Sequence, residues 1–162
     1  MSLYTLTKQI KKSIKDKENL LTFNPWSAGE YSNNWTGFYN YGNSTRLITN
    51  EKSYIGDKSL KFITSTENVA IHDVEVLTSS ENIGETIKGT AYIIGHNANL
   101  KLTFYNSNGT IFYTVTTSIN SADFQKYSLS TAIPSDTVKI HLRIHSTSEG
   151  IIYADNFTMN IQ

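Results

Sequence analysis

The run Val138-Lys139-Ile140-His141-Leu142-Arg143-Ile144-His145 alternates apolar and polar side chains without a break. Successive side chains of a strand point to opposite faces. The run therefore reads as a half-buried strand, with Val138, Ile140, Leu142 and Ile144 on a core and Lys139, His141, Arg143 and His145 facing away from it. Such a strand needs neighbours, and the sequence supplies them: short runs bounded by Asn, Gly, Ser or Asp cover 19–23, 45–49, 59–64, 69–77, 86–94, 100–105, 111–117, 125–130, 138–145 and 151–160. Ten strands with no helical period between them predict a sandwich or a barrel. In 100–105 the alternation sends Leu100, Leu102 and Phe104 inward and Lys101, Thr103 and Tyr105 outward. In 86–94 the inward set Ile87, Gly89, Ala91 and Ile93 contains two small residues. That predicts a second layer packed close, with Lys88, Thr90 and Tyr92 on the other side. Asn106-Ser107-Asn108-Gly109 between two patterned runs predicts a hairpin.

Composition agrees with strands and polar turns. Ser, Thr and Asn make up a third of the 162 residues, and there are ten Tyr, two Pro and no Cys. Without cysteine there is neither a disulfide scaffold nor a thiolate metal site. The length suits one domain with a real core. Formal net charge is zero, and the basic excess is confined to the first 18 residues, so the folded part lacks the clustered positive charge of a nucleic-acid-binding domain. No run reaches the roughly 18 apolar residues of a membrane span, and the first residues carry no apolar stretch of signal-peptide type. An export signal, if used, lies outside these residues or is of another kind.

Before the strands, Leu3, Leu6, Ile10 and Ile14 recur at helical spacing with Lys8, Lys11, Lys12 and Lys15 between them. This predicts a short amphipathic helix over 3–17, and a division into residues 1–18 and a domain over 19–162. Its narrow apolar stripe suits a seam on the domain itself, a coiled-coil stem that makes the chain a homo-oligomer, or a membrane-surface helix. The stretch 26–44, rich in Gly, Asn and aromatic residues, reads as the longest loop.

Five segments appear in a meaningful order: Asn19-Leu20-Leu21-Thr22-Phe23-Asn24-Pro25, Trp35, Gly56-Asp57-Lys58-Ser59-Leu60-Lys61-Phe62, Phe124-Gln125-Lys126-Tyr127-Ser128-Leu129 and Ile152-Tyr153-Ala154-Asp155-Asn156-Phe157. Together they resemble the jelly-roll carbohydrate-binding modules of the galactose-binding-like superfamily, over nearly the whole chain apart from the helix. The resemblance implies an all-β, two-sheet antiparallel jelly-roll sandwich and often one structural Ca²⁺. Asp155 matches the last-strand aspartate of that family, and Gly56 to Lys58 match the loop that lends backbone carbonyls to the ion, hard oxygen donors of the kind Ca²⁺ takes. The sequence departs from the family just after the first strand, where Trp26-Ser27 stands in place of the usual acidic residue and Glu30 follows later.

Sugars are held by aromatic rings against their C–H faces and by fixed polar groups that read their hydroxyls. In modules of this kind the site lies across the concave sheet or in loops at one edge. On the sheet, the outward parities offer Tyr92, Tyr105, His141, Arg143 and His145, with His72 as a further member. In the loop, Trp26, Tyr31, Trp35, Tyr39 and Tyr41 are available. Trp35 matches a position that packs inward in the family, which leaves Trp26 and Tyr39. His141 and His145, four apart on a strand, are about 13 Å apart and too far to share a metal. Neighbouring His72 and Asp73 point to opposite faces, so they make no acid–base pair. Nucleophile-elbow, zincin and phosphate-loop motifs are absent. The sequence thus predicts a non-catalytic module that binds a polysaccharide or cell-surface glycan, placed outside the cell, on a cell surface or on a virion. The alternative is a structural or adhesion domain of a phage tail or virion appendage, oligomerised through 3–17.

Overall fold

The computed structural model describes residues 38–41, 44–65, 71–77 and 80–162. The predicted helix over 3–17 and strand over 19–23 lie outside these residues. The described chain forms β1 (Phe38–Tyr41), β2 (Ser44–Thr49), β3 (Ser59–Thr64), β4 (Ile71–Leu77), β5 (Thr86–Tyr105), β6 (Ile111–Ala132), β7 (Lys139–Ser146) and β8 (Gly150–Ile161), with a 3-10 turn at Ser80–Asn82. Every pairing is antiparallel, in the order β1-β4-β7-β5-β8-β3-β2, with β6 along β5.

That order becomes a sandwich because β5 belongs to both layers. Its first half, Ile87–Ile94, pairs with β8, and its second half, Ala98–Tyr105, pairs with β7. Between them Gly95, His96 and Asn97 turn a corner, where the register with β6 slips and Asn97 takes φ 52°. A bulge of this kind bends a strand and strengthens its twist, which lets one chain pass from sheet to sheet. One layer is then β2-β3-β8 with the first half of β5. The other is β1-β4-β7 with the second half. Their contact is tight: a Cβ on Gly89 would stand 2.8 Å from Leu142 Cδ1 and 3.0 Å from Leu102 Cδ2. The small inward residues read from 86–94 are small because the facing sheet fills the space.

The inward parities meet in one core. Leu100, Leu102, Phe104, Ile140, Leu142 and Ile144 are fully buried from one sheet, against Leu60, Phe62, Ile87, Ile93 and Ile152 from the other. Each such side chain contributes about 1.5–3 kcal/mol when removed from water. In β8 the pattern changes hand at Asn156 (φ 49°): Tyr92 lies opposite Asp155 while Thr90 lies opposite Thr158, one residue extra on β8. The insertion puts Ile152 and Ala154, then Phe157, Met159 and Ile161, on the core side. The predicted hairpin is present. Asn106 Oδ1 accepts from the N–H groups of Asn108 and Thr110, and Gly109 takes φ 73°. Among the described residues no helix is long and apolar enough to cross a membrane.

Candidate functional site

The outer surface of the second half of β5 and of β7 collects Tyr105, His141, Arg143 and His145 from the residues singled out from sequence, and the Cα register continues their rows into β4 and β1. Three rows cross it. Tyr39 stands opposite Asp73, Asp73 opposite Arg143, and Arg143 opposite Lys101. Tyr41 stands opposite Ile71, which pairs with His145, and His145 pairs with Asn99. Glu75 stands opposite His141, and His141 opposite Thr103. His72 lies opposite Ile144, a core position, and so falls in a different row from Arg143.

On β5 and β7 the side chains lock one another. Arg143 Nη2 donates to the Tyr105 hydroxyl at 2.7 Å, and the Tyr105 ring lies 4.6 Å from the His141 ring at 44°. The Lys139 ammonium sits 4.8 Å from the Tyr105 centroid, and Lys101 Nζ lies 3.0 Å from His145 Nδ1. Burial, and then the positive charge of Arg143, lower the pKa of the Lys101 amine below its ordinary value. Tyr105 and His141 are 9% and 4% exposed, so neither offers an open ring face. They form the floor, and the half-exposed Lys101, Lys139, Arg143 and His145 form the accessible layer. Beneath them Thr103, 1% exposed, has a hydroxyl with no hydrogen-bond partner among the described residues. The arrangement sets cationic side chains over an aromatic floor, groups that can hydrogen-bond ligand hydroxyls or carboxylates.

Tyr92 is not in this group. It projects from the first half of β5, on the outer side of the other sheet, and stacks on Tyr54. The concave-face set expected from sequence is therefore divided between opposite surfaces of the sandwich. Trp26 lies outside the described residues. Lys101 was legible in the alternation of 100–105. Tyr54 was not, because it sits in an aperiodic loop over 50–58.

Asp155 is fully buried and holds that loop. Its Oδ2 accepts from the N–H groups of Tyr54 (2.8 Å) and Ile55 (3.1 Å), and its Oδ1 accepts from Asn156 N–H at 2.7 Å. Two N–H bonds engage both lone pairs of Oδ2. Gly56 takes φ 66°, and its carbonyl accepts from Ser53 Oγ. Lys58 is half-exposed beside it. This carboxylate is engaged with backbone amides, and no group of three His, Cys, Asp or Glu among the described residues could share a metal ion. Residues 19–30, the first-strand side of the calcium site that the resemblance implies, lie outside the described residues.

No protein-family model matches the sequence, and no curated protein does. Solved structures do match in fold. The xylan-binding CBM22-1 domain of Paenibacillus barcinonensis Xyn10C aligns with a TM-score of 0.61 and 14% identity, over 83% of this chain and 96% of that one. A CBM61 module solved with beta-1,4-galactotriose gives 0.58 and 12%, over 90% of this chain and all of the other. The enzymatically active domain of tailspike protein 4 from bacteriophage CBA120 gives 0.70 and 14%, over 87% of this chain. The present chain corresponds to only 21% of that tailspike chain. The fold is thus the jelly-roll β-sandwich shared by carbohydrate-binding modules.

Proposed function

We propose that this chain is a non-catalytic glycan-binding module and that the sugar lies on the outer face of the β1-β4-β7-β5 sheet. The observation that carries this reading is the cross-strand row of Tyr39, Asp73, Arg143 and Lys101, set on a floor where Arg143, Tyr105 and His141 fix one another. Preorganised donors cost little entropy on binding, and a planar guanidinium gives paired hydrogen bonds to neighbouring hydroxyls or a carboxylate. The xylan-binding and galactotriose-bound neighbours, similar in fold, support the ligand class. Xylohexaose and β-1,4-galactotriose are the first probes, followed by a broad glycan array. Arg143→Ala should weaken binding about tenfold or more, the worth of a hydrogen bond to a charged group. Affinity unchanged in a variant that melts like the parent removes the row from the site. An enzyme would release reducing ends from the bound polysaccharide, and none is expected.

The similarity to part of a phage tailspike favours a second, compatible reading, in which the module is a building block of a virion appendage or other extracellular surface protein. The amphipathic pattern of 3–17 would then serve as an oligomerising stem. A monomeric mass in solution, the same with and without residues 1–18, would argue against that stem.

A further inference from the structure

The surface around Tyr54 has no part in the row just described. Tyr54 and Tyr92 stack with centroids 3.5 Å apart and planes at 14°, which covers one face of Tyr54 and leaves the residue 44% exposed. Phe124 meets the Tyr54 ring edge-on at 6.1 Å, Lys126 lies 6.0 Å from the Tyr92 centroid, and Ile55 beside them is 41% exposed. A set of polar groups follows on the same outer face by register: Tyr92 lies opposite Asp155, and Tyr153, two residues along β8, lies opposite Lys61. Lys61 bonds both oxygens of Glu51 at 2.8 and 2.6 Å, and the Tyr153 hydroxyl donates to Glu51 Oε2 at 2.7 Å. The Glu51 carboxyl is held below its ordinary value by Lys61 and then by Tyr153.

The bland account is that Tyr54 merely clamps its loop. Other groups already do that work. Asp155 accepts two of the loop's N–H groups, and Ser59 Oγ donates to Lys52 C=O at 2.6 Å. A ring that serves only as a clamp has no need to keep a face in water, backed by a second ring and edged by a third. An apolar flat face beside a preset carboxylate, amine and hydroxyl is instead the chemistry that takes a sugar ring.

We infer that the open face of Tyr54, with Glu51, Lys61 and Tyr153 at its margin, is a second glycan-binding site that stacks on the apolar face of a saccharide unit. This rests on the reading of the chain as a glycan-binding module and goes beyond it in number and position. The Gly89 side of β5 packs on Leu102 and Leu142, so Tyr92 and Arg143 leave opposite outer surfaces of the sandwich. A single ligand chain lying across one face does not meet the other. One copy of the protein could therefore bridge two polysaccharide chains.

The test is calorimetric titration of the full chain with xylohexaose and with β-1,4-galactotriose, for the parent and for Tyr54→Ala, Tyr54→Trp, Arg143→Ala and the double Ala variant. Two ligands per chain are expected. Tyr54→Ala should remove one and leave the other, Arg143→Ala should do the reverse, and the double variant should remove both. Tyr54→Trp, which enlarges the platform, should tighten only the site that Tyr54→Ala removes, so the result does not rest on a loss variant alone. One ligand per chain, lost in Arg143→Ala and untouched in both Tyr54 variants, overturns the second site while leaving the glycan reading intact. One ligand lost only in Tyr54→Ala supports the platform and removes the row. A parent that binds neither probe, and nothing on a glycan array, overturns both.

Discussion

Replacing Asp155 by Ala should destabilise the protein by about 2–4 kcal/mol. The carboxylate is fully buried and accepts three backbone hydrogen bonds, from Tyr54, Ile55 and Asn156, at 2.8, 3.1 and 2.7 Å. Hydrogen bonds to a charged group contribute about 1.5–3 kcal/mol each, so the upper bound is large. Two effects reduce it. Tyr54 and Ile55 lie in an exposed loop, and water can take over their N–H groups once the loop loosens. Removing a buried charge also returns part of its desolvation cost. Asn156 N–H gains less from water, because Asn156 is half-buried in the β8 bulge. Urea unfolding would read the change as a midpoint lowered by about 1–2 M at an unaltered slope. Asp155→Asn keeps the volume but turns an NH₂ towards one of the three N–H groups, and should lose about half as much. A cost below about 0.5 kcal/mol for Asp155→Ala refutes the assignment of this carboxylate as the anchor of the loop. The same experiment bears on calcium. An anchor that works through amides alone melts identically in EDTA and in Ca²⁺, whereas a midpoint raised by Ca²⁺ and restored by EDTA supports an ion at the carboxylate.

Two further outcomes follow from packing and charge. In Gly89→Ala the new methyl meets Leu142 and Leu102 at 2.8 and 3.0 Å. Overpacking of about 1–3 kcal/mol then outweighs the smaller gain from a stiffer unfolded chain, for a net loss of about 1–2 kcal/mol. Gly150→Ala meets nothing within 4 Å and is the control; equal unfolding midpoints for the two would refute the close approach of the sheets. The Glu51 carboxyl, lowered by Lys61 and Tyr153, has a folded-state pKa below its unfolded one. Its contacts are therefore complete above the ordinary carboxylate range and are lost as pH falls through the depressed value. NMR titration of the Glu51 side chain should show a midpoint under the ordinary 4.5, and a midpoint at or above it refutes the contacts of Glu51 with Lys61 and Tyr153.

How far the sequence foretold this molecule depends on which force wrote each segment. Burial writes alternation, and there the reading is close. Predicted 59–64 coincides with β3, and the inward residues of 138–145 and 100–105 form the core, apart from Val138, which precedes β7 and is 39% exposed. Continuity is written by backbone geometry, which hydropathy does not see. Gly95-His96-Asn97 reads as a break between two strands, yet the chain only bends there, and 86–94 and 100–105 are one strand of 20 residues. Likewise 111–117 and 125–130 merge into the 22 residues of β6, whose exposed polar positions carry little periodic signal. β1 was hidden in the aromatic-rich stretch read as loop, because four residues are too few to show a period. The candidate site follows the same division. Tyr105, His141, Arg143 and His145 share a face because parity puts them there, and parity is local. Tyr92 shares their outward parity and still leaves them, because the bend in β5 carries its half of the strand into the opposite layer. Whether two outward residues meet is decided by the corner between them, and that corner rests on the register slips around Gly95 and on Asn97 in the left-handed region.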